Sequence, residues 1–171
     1  MARIFLIGYM GSGKTTLGRK LAARLNYSFL DLDHALEEQA GMTIAEYFSG
    51  FGETAFRVAE SEILKSTAYP ENTVVSTGGG LPCFFDNMEW MNANGVTLYI
   101  NLAPKALISR LENNKDDRPL LREKHGDELL AFITEKLTER EAYYLKANIV
   151  AEGLSLTAEK AEKLIAEKTV L

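Results

Sequence analysis

Residues 8–15 have the sequence GYMGSGKT, which fills every fixed position of the phosphate-binding loop pattern G-x-x-x-x-G-K-[ST]. The apolar run IFLI at residues 4–7 comes directly before the loop and predicts a buried strand. Leu17, Leu21 and Leu25 follow the loop at helical spacing. A strand, a glycine-rich loop and a helix in this order are what the pattern requires, so a turn that matches only by chance is disfavoured.

The residue types in this loop indicate how a nucleoside triphosphate would be held. The glycines let several backbone N–H groups point at a polyphosphate, and the N-terminus of the helix adds positive potential. Lys14 is placed to reach the β- and γ-phosphates, and Thr15 is placed to bind Mg²⁺ through its hydroxyl. The predicted nucleotide contacts in the loop are Gly11, Ser12, Gly13, Lys14, Thr15 and Thr16.

Length and composition narrow the functional class. The 171 residues fit a single domain, 1–171, with 25% charged and 46% hydrophobic residues. A net charge of −5 argues against a general nucleic-acid binder. No apolar stretch approaches the roughly 20 residues that span a membrane, and we expect no signal peptide before the first strand. The single cysteine, Cys83, has no partner for an internal disulfide, so we expect a cytoplasmic protein and a buried or half-buried thiol.

Strand and helix patterns alternate along the whole chain. The strands are short apolar runs of the kind buried in a parallel sheet. The alternation predicts a three-layer α/β domain whose ligands lie at the carboxyl ends of the strands. The predicted strands are 3–8, 29–33, 73–77, 96–102 and 148–151. The predicted helices are 14–25, 34–40, 43–49, 53–67, 84–93, 104–113, 127–146 and 157–168.

Two aspartates, Asp31 and Asp33, end the second predicted strand. Alternation along a strand would place both carboxylates on one side of the chain, about 6–7 Å apart. Beside a phosphate-binding loop, one could hold Mg²⁺ through a water and the other could accept the proton of a substrate hydroxyl. The alternative is that Asp33 only caps the next helix, which leaves Asp31 unexplained. No aspartate ends the third strand, so Asp31 is the candidate for the outer shell of the metal.

The third predicted strand ends in Thr77 and the glycines of residues 78–80. Successive glycines are costly in conformational entropy, and a plain turn rarely needs three of them. Close approach of the backbone to a ligand, with N–H groups as donors, explains them better. A tight turn is the alternative.

Arg57 is a candidate for gripping an anionic substrate, because Glu60 lies three residues after it and Glu53 four residues before it on a predicted helix. Such charges form either a surface ion pair or an arginine that a carboxylate orients toward an anion. The sequence alone does not decide between these alternatives. By its own sequence context, Arg140 is a solvated helix residue.

Residues 113–126 are polar and charge-dense, which predicts a mobile surface loop between two helices. In a kinase, such a loop could close as a lid, exclude water and deliver Arg118 to the transferring phosphoryl group. A solvated loop without a role is the alternative.

Taken together, these motifs resemble one family, the shikimate kinases. The resemblance covers nearly the whole chain, and it depends on the order and spacing of the motifs. These motifs are residues 8–15, Asp31-Leu32-Asp33, Gly52 followed by Phe56-Arg57 and Glu60, Thr77-Gly78-Gly79-Gly80, and Arg118-Pro119-Leu120-Leu121.

The resemblance implies a fold, an activity and cofactors. The fold would be the three-layer P-loop fold of the nucleoside monophosphate kinases, with a five-stranded parallel sheet in the order 2-3-1-4-5. The activity would be phosphorylation of the 3-hydroxyl of shikimate by ATP and Mg²⁺, giving 3-phosphoshikimate for the synthesis of chorismate and aromatic amino acids. Residues of about 33–60 would bind the substrate, about 113–126 would form the lid, and the protein would be a monomer.

The resemblance also implies roles at the acceptor. Asp33 would hold ring hydroxyls of shikimate and act as the base toward the 3-hydroxyl. Arg57 and Arg140 would bind the shikimate carboxylate. Gly79 would donate a backbone N–H to the substrate.

On the nucleotide side, the resemblance implies that Thr15 binds Mg²⁺ directly and that Asp31 lies in the outer shell. Lys14 and Arg118 would stabilise charge on the phosphates, and both would be catalytic together with Asp33. The adenine site is less defined, because residues 151–155 lack the arginine-asparagine-proline signature of some members. A nearby arginine lies against the adenine in the family, and Arg110 is the candidate for that role.

Other functions are compatible with parts of this pattern. A gluconate kinase shares the architecture, but the combined aspartate, arginine and glycine motifs argue against it. A nucleoside monophosphate kinase would be separated by a test of base specificity. A nucleotide-binding switch without turnover would leave Asp33 and the arginines without a role.

Overall fold

The computed structural model describes residues 2–112 and 124–169. Five parallel strands form one sheet in the order β2-β3-β1-β4-β5, which confirms the predicted order. The strands are β1 Arg3–Ile7, β2 Ser28–Asp31, β3 Thr73–Ser76, β4 Val96–Asn101 and β5 Ile149–Glu152. The helices are α1 Lys14–Leu25, α2 Leu32–Ala40, α3 Ile44–Ser66, α4 Asn87–Asn94, α5 Pro104–Glu112, α6 Gly126–Tyr144 and α7 Ala158–Thr169, and a 3-10 turn spans Leu81–Cys83.

Helices cover both faces of the sheet, as the alternating pattern predicts. Side chains alternate along β1, so Ile4 and Leu6 pack on one face while Phe5 and Ile7 pack on the other. The first face is covered by α1 and α7, and the second by α3, α4 and α6. Because the central strand is buried on both faces, its carboxyl end opens only toward the loops that follow the strands. None of the helices in the described ranges is long and apolar enough to cross a membrane.

The second strand ends earlier than its sequence pattern predicts. β2 stops at Asp31, whose carboxylate Oδ1 accepts the N–H groups of Asp33 at 3.0 Å and His34 at 3.4 Å. These bonds cap α2, which therefore begins at Leu32. The predicted second strand is present, but its predicted end at residue 33 is wrong, and so is the placement of Asp31 and Asp33 on one side of it. The alternative in which Asp33 is the cap is also wrong, since Asp33 lies in the first turn of α2.

The two helices predicted over 43–49 and 53–67 are parts of one segment, Ile44–Ser66, broken at Gly52. Gly52 has φ 84° and ψ 173°, a conformation that glycine adopts readily and other residues do not. The first part starts with a capping box, in which Thr43 and Glu46 exchange side-chain to backbone hydrogen bonds. The break lets the second part, which carries Arg57 and Glu60, take its own direction into the site.

Candidate active site

The glycine-rich loop joins β1 to α1 and is shaped for an anion. Gly11 and Gly13 have φ of 80° and 92°, so the backbone there needs glycine. Gly13 supplies no side-chain cap, which leaves the first N–H groups of α1 available to a ligand. The Ser12 hydroxyl is buried and has no hydrogen-bond partner among the described residues. A polyphosphate would satisfy both kinds of donor, so the loop fits the predicted nucleotide.

Two cations lie at this loop. The buried ammonium of Lys14 donates to the carbonyl oxygens of Gly8 at 2.7 Å and Tyr9 at 3.0 Å. The Arg110 guanidinium, on α5, donates to the Ser12 carbonyl at 2.8 Å. The loop thus combines backbone donors with fixed positive charge, which is the arrangement that stabilises phosphates.

Three oxygen-bearing side chains meet beside the loop, each from a different element. The Thr15 hydroxyl on α1 donates to the Asp31 carboxylate at 3.1 Å and lies 3.5 Å from the Ser76 hydroxyl. Asp31 and Ser76 are register partners at the ends of β2 and β3. Within the described residues, no group of three or more His, Cys, Asp or Glu side chains could hold a metal. A magnesium ion here would therefore need nucleotide and water oxygens in addition to Thr15, which fits its preference for phosphate and water ligands.

The glycines of residues 78–80 are required by space rather than by a turn. None of them has a positive φ, which is the backbone conformation for which a tight turn would need glycine, so the tight-turn alternative does not explain them. A Cβ at Gly79 would lie 3.1 Å from the backbone nitrogen of Met10 in the phosphate-binding loop. The loop after β3 is therefore packed closely against the loop after β1.

The neighbouring glycines make room for charged side chains. A Cβ at Gly78 would lie 2.6 Å from Oε2 of Glu60 and 2.9 Å from Oδ1 of Asp33. A Cβ at Gly80 would collide with the guanidinium of Arg57. The glycine loop thus forms the surface against which the predicted base and the predicted anion-binding arginine are packed.

Arg57 forms a buried ion pair, so the surface-pair alternative is wrong. Arg57 is 8% exposed and Glu60 is 3% exposed, and Nη1 donates to Oε1 of Glu60 at 2.7 Å. The guanidinium also stacks on Phe84, 4.4 Å from the ring centroid, and contacts the more exposed Glu53 at 3.5 Å. Its Nε is buried without a partner in residues 2–112 and 124–169. A planar fork held by a carboxylate and an aromatic ring is preorganised to bind a second carboxylate.

Burial raises the pKa of Glu60 to about 7, although the Arg57 guanidinium opposes the shift. The carboxylate of Asp33 adds a smaller contribution that raises the pKa further. Glu60 therefore exchanges its proton near neutral pH and has no fixed charge there.

This shift predicts how stability depends on pH. Glu60 ionises near pH 4.5 in the unfolded chain but keeps its proton up to about pH 7 in the folded protein. Below pH 4.5, Glu60 is protonated in both states and does not oppose folding. As the pH rises toward 7, only the unfolded chain loses this proton, so the free energy of unfolding falls. We expect Glu60→Gln to gain stability relative to the wild type across this window, as measured by urea denaturation at several pH values. A difference in unfolding free energy that is constant from pH 4 to 8 would contradict the assignment.

Arg140 reaches the same cleft from α6. Its guanidinium lies 5.4 Å above the ring of the buried Tyr9. Nη1 of Arg140 is buried without a partner in the described part of the chain, and it lies 3.7 Å from the Cβ position at Gly79. The expectation of a solvated residue, drawn from its local sequence, is therefore wrong.

One cleft of about 1210 Å³ joins these groups. Gly11, Ser12, Gly13, Lys14, Thr15 and Thr16 line one end, while Asp33, Arg57, Gly79 and Arg140 line the other. Arg118 and most of the predicted lid, residues 113–123, lie outside the described residues, and their roles stay predictions. Cys83 is half-buried as predicted, and burial raises the pKa of its thiol to about 11.

Sequence reasoning missed two side chains that support the site. Ser76 faces Thr15, and Tyr144 donates a hydrogen bond to Gly79. A signal for Tyr144 was present, because it lies four residues after Arg140 on a helix and therefore on the same face. Ser76 is the last residue of a buried strand and carries no comparable signal.

Comparisons with known proteins agree with this geometry. The family model described as shikimate kinase matches residues 10–170. A shikimate kinase from Bacteroides fragilis is 50% identical over 150 residues, which are 88% of this chain and 84% of that protein. The crystal structure of shikimate kinase from Bacteroides thetaiotaomicron is 43% identical with a TM-score of 0.90, covering 99% of both chains. The structure of shikimate kinase from Acinetobacter baumannii in complex with shikimate is 30% identical with a TM-score of 0.86, covering 99% of this chain and 93% of that one.

The family model covers almost the entire chain, and it spans Asp33, Arg57, Gly79 and Arg140, which line the cleft. This chain belongs to the shikimate kinase family.

Proposed function

We propose that this protein transfers the γ-phosphoryl group of ATP to the 3-hydroxyl of shikimate, giving 3-phosphoshikimate on the route to chorismate and the aromatic amino acids. One observation carries the proposal. A single cleft joins a polyphosphate-binding loop to a pocket lined by the Asp33 carboxylate and by two arginines, Arg57 and Arg140. Shikimate is a carboxylate with ring hydroxyls, which matches that pocket, and a relative was solved in complex with it.

In this proposal, the acceptor is fixed at its carboxylate and activated at its hydroxyl. Arg57 and Arg140 bind the shikimate carboxylate, and Gly79 donates its backbone N–H. Asp33 accepts the proton of the 3-hydroxyl as that oxygen attacks the γ-phosphorus. Geometry and electrostatics dominate phosphoryl transfer, and the preorganised arginines contribute by fixing the position of the acceptor.

On the donor side, Lys14 and the backbone N–H groups of the loop hold the phosphates, and Arg118 adds positive charge from the lid. Magnesium, when bound, neutralises charge on the β- and γ-phosphates. Thr15 would bind it directly and Asp31 would orient its waters. Arg110 would contact the adenine. We also propose one catalytic domain over 1–171, with substrate region 33–60 and lid 113–126, acting as a monomer.

The role of Asp31 gives a direct test. Asparagine is as good a helix cap as aspartate, so Asp31→Asn keeps the start of α2 while removing a negative charge. We expect the Mg²⁺ concentration for half-maximal activity to rise about tenfold, the scale for losing an outer-shell partner, while the KM for shikimate stays within about twofold. Titration of activity with Mg²⁺ at fixed ATP measures both. An unchanged Mg²⁺ requirement would remove Asp31 from the metal site.

The site of phosphorylation tests the proposed chemistry. The purified protein is incubated with Mg-ATP and shikimate, and the product is examined by phosphorus–proton correlation NMR. The proposal expects the new phosphorus signal to couple to the proton on C3. Coupling to the proton on C4 or C5 would contradict the placement of the 3-hydroxyl at Asp33.

A further inference from the structure

Tyr144, the last residue of α6, is fully buried, and its hydroxyl donates to the carbonyl oxygen of Gly79 at 2.5 Å. Its ring stacks on Tyr99 with centroids 5.0 Å apart. Burial raises the pKa of Tyr144 well above its usual range, so the phenol keeps its proton and remains a donor. The buried hydroxyl of Tyr144 thus makes its hydrogen bond to one carbonyl of the glycine loop.

The hydrogen bonds of that loop show why this carbonyl matters. The Gly78 carbonyl accepts from Leu81 at 3.3 Å, and the Gly80 carbonyl accepts from Cys83 at 3.0 Å. Only the carbonyl of Gly79 depends on a side chain within the described residues. Each peptide is planar, so fixing this carbonyl also fixes the direction of the N–H of Gly80. No acceptor in the described ranges takes the N–H groups of residues 78–80, which leaves them available to a ligand in the cleft.

The same phenol also contacts Arg140. The two residues are one helical turn apart on α6, and their side chains interact electrostatically. Because the phenol proton points at Gly79, its oxygen is left to accept from the guanidinium. Nη1 of Arg140 is then directed toward Gly79 without a partner among the described residues.

We infer that Tyr144 is a positioning residue for the acceptor: one hydroxyl holds both the glycine loop and the Arg140 guanidinium in the arrangement that binds shikimate. Tyr144 acts through these two groups. The inference rests on the proposed function, since it assumes that the glycine loop and Arg140 face shikimate.

The test is Tyr144→Phe, which keeps the buried ring and removes only the hydroxyl. We expect the KM for shikimate to rise about five- to twentyfold, the loss expected for one buried hydrogen bond. The KM for ATP should stay within about twofold and kcat within about threefold, because the donor site does not use this hydroxyl. Tyr99→Phe is the matched control: Tyr99 is the stacking partner, equally buried, and its hydroxyl bonds Asn101 at 3.3 Å. It should leave the shikimate KM unchanged.

The outcomes separate this inference from the proposed function. Wild-type protein that does not phosphorylate shikimate would overturn both. If the wild-type protein phosphorylates shikimate and Tyr144→Phe has the same KM for shikimate, the inference alone is overturned. Equal rises for shikimate and ATP, or the same rise in Tyr99→Phe, would also overturn it, because they indicate a general packing defect.

If Tyr144→Phe does not fold, wild-type protein with ¹³C at the phenolic carbon of tyrosine provides the measurement. Shikimate should shift the resonance of Tyr144 and leave that of Tyr99 in place. A Tyr144 resonance that does not respond to saturating shikimate would overturn the inference.

Discussion

Asp33→Asn should lower kcat with shikimate by about 10²-fold or more, the scale for losing a general base, and leave the affinity for ATP nearly intact. Asparagine has the same shape as aspartate but cannot accept the hydroxyl proton. Asp31, and not Asp33, caps α2, so the substitution leaves the start of the helix in place. Single-turnover and steady-state kinetics, together with ATP binding by calorimetry, measure the two effects separately.

A control for Asp33 is available on the same helix. Glu38 is an exposed carboxylate of α2, and Glu38→Gln changes the net charge by the same amount. It should leave kcat unchanged. Wild-type turnover in Asp33→Asn would remove Asp33 from the mechanism.

Arg57→Ala is the second change with a large expected effect. It should weaken shikimate binding by about 2–5 kcal/mol, the scale for truncating one side of a desolvated charge pair. Arg57 is buried, stacked on Phe84 and paired with Glu60, so its guanidinium is already oriented before the acceptor arrives. The KM for shikimate and direct binding of shikimate by calorimetry both report the loss.

The same substitution removes the guanidinium that opposes the raised pKa of Glu60, so the buried Glu60 carboxyl keeps its proton and loses its hydrogen-bond partner, which costs stability. In the double variant Arg57→Ala with Glu60→Gln, position 60 cannot ionise, so a change in shikimate binding cannot come from a buried charge at Glu60. If the double variant is stable and still binds shikimate as the wild type does, Arg57 is only a structural ion pair.

How much of this site was predictable differs from residue to residue. The loop of residues 8–15 is a local motif whose chemistry depends on its own backbone, so its place between β1 and α1 followed from the pattern. The sheet order also agreed with the family resemblance. By contrast, the predicted end of β2 at residue 33 was wrong. Strand periodicity does not reveal that the carboxylate of Asp31 caps the next helix.

The surroundings of the arginines depended on contacts between distant segments. Arg57 is buried because the break at Gly52 and the glycine loop bring α3 against the end of β3. Arg140 is drawn into the cleft by Tyr9 and Tyr144, one of which is far away in sequence. Local charge patterns look the same for a buried pair and a surface pair, so the sequence left both alternatives open.

The glycines of residues 78–80 also depend on contacts between distant segments, which the sequence does not identify. Their sequence indicated a close approach, but not what approaches. In the fold, the space of two Cβ atoms is taken by Asp33, Glu60 and Arg57, and the third by the phosphate-binding loop. The loop therefore sets the distance between the donor and acceptor ends of the cleft.

The most direct test of the account is ADP release from Mg-ATP by the purified protein with shikimate, gluconate, nucleoside monophosphates or no acceptor. ADP release should depend on shikimate alone. Release that depends on gluconate or a nucleoside monophosphate instead, or ATP binding without any acceptor-dependent release, would contradict this expectation.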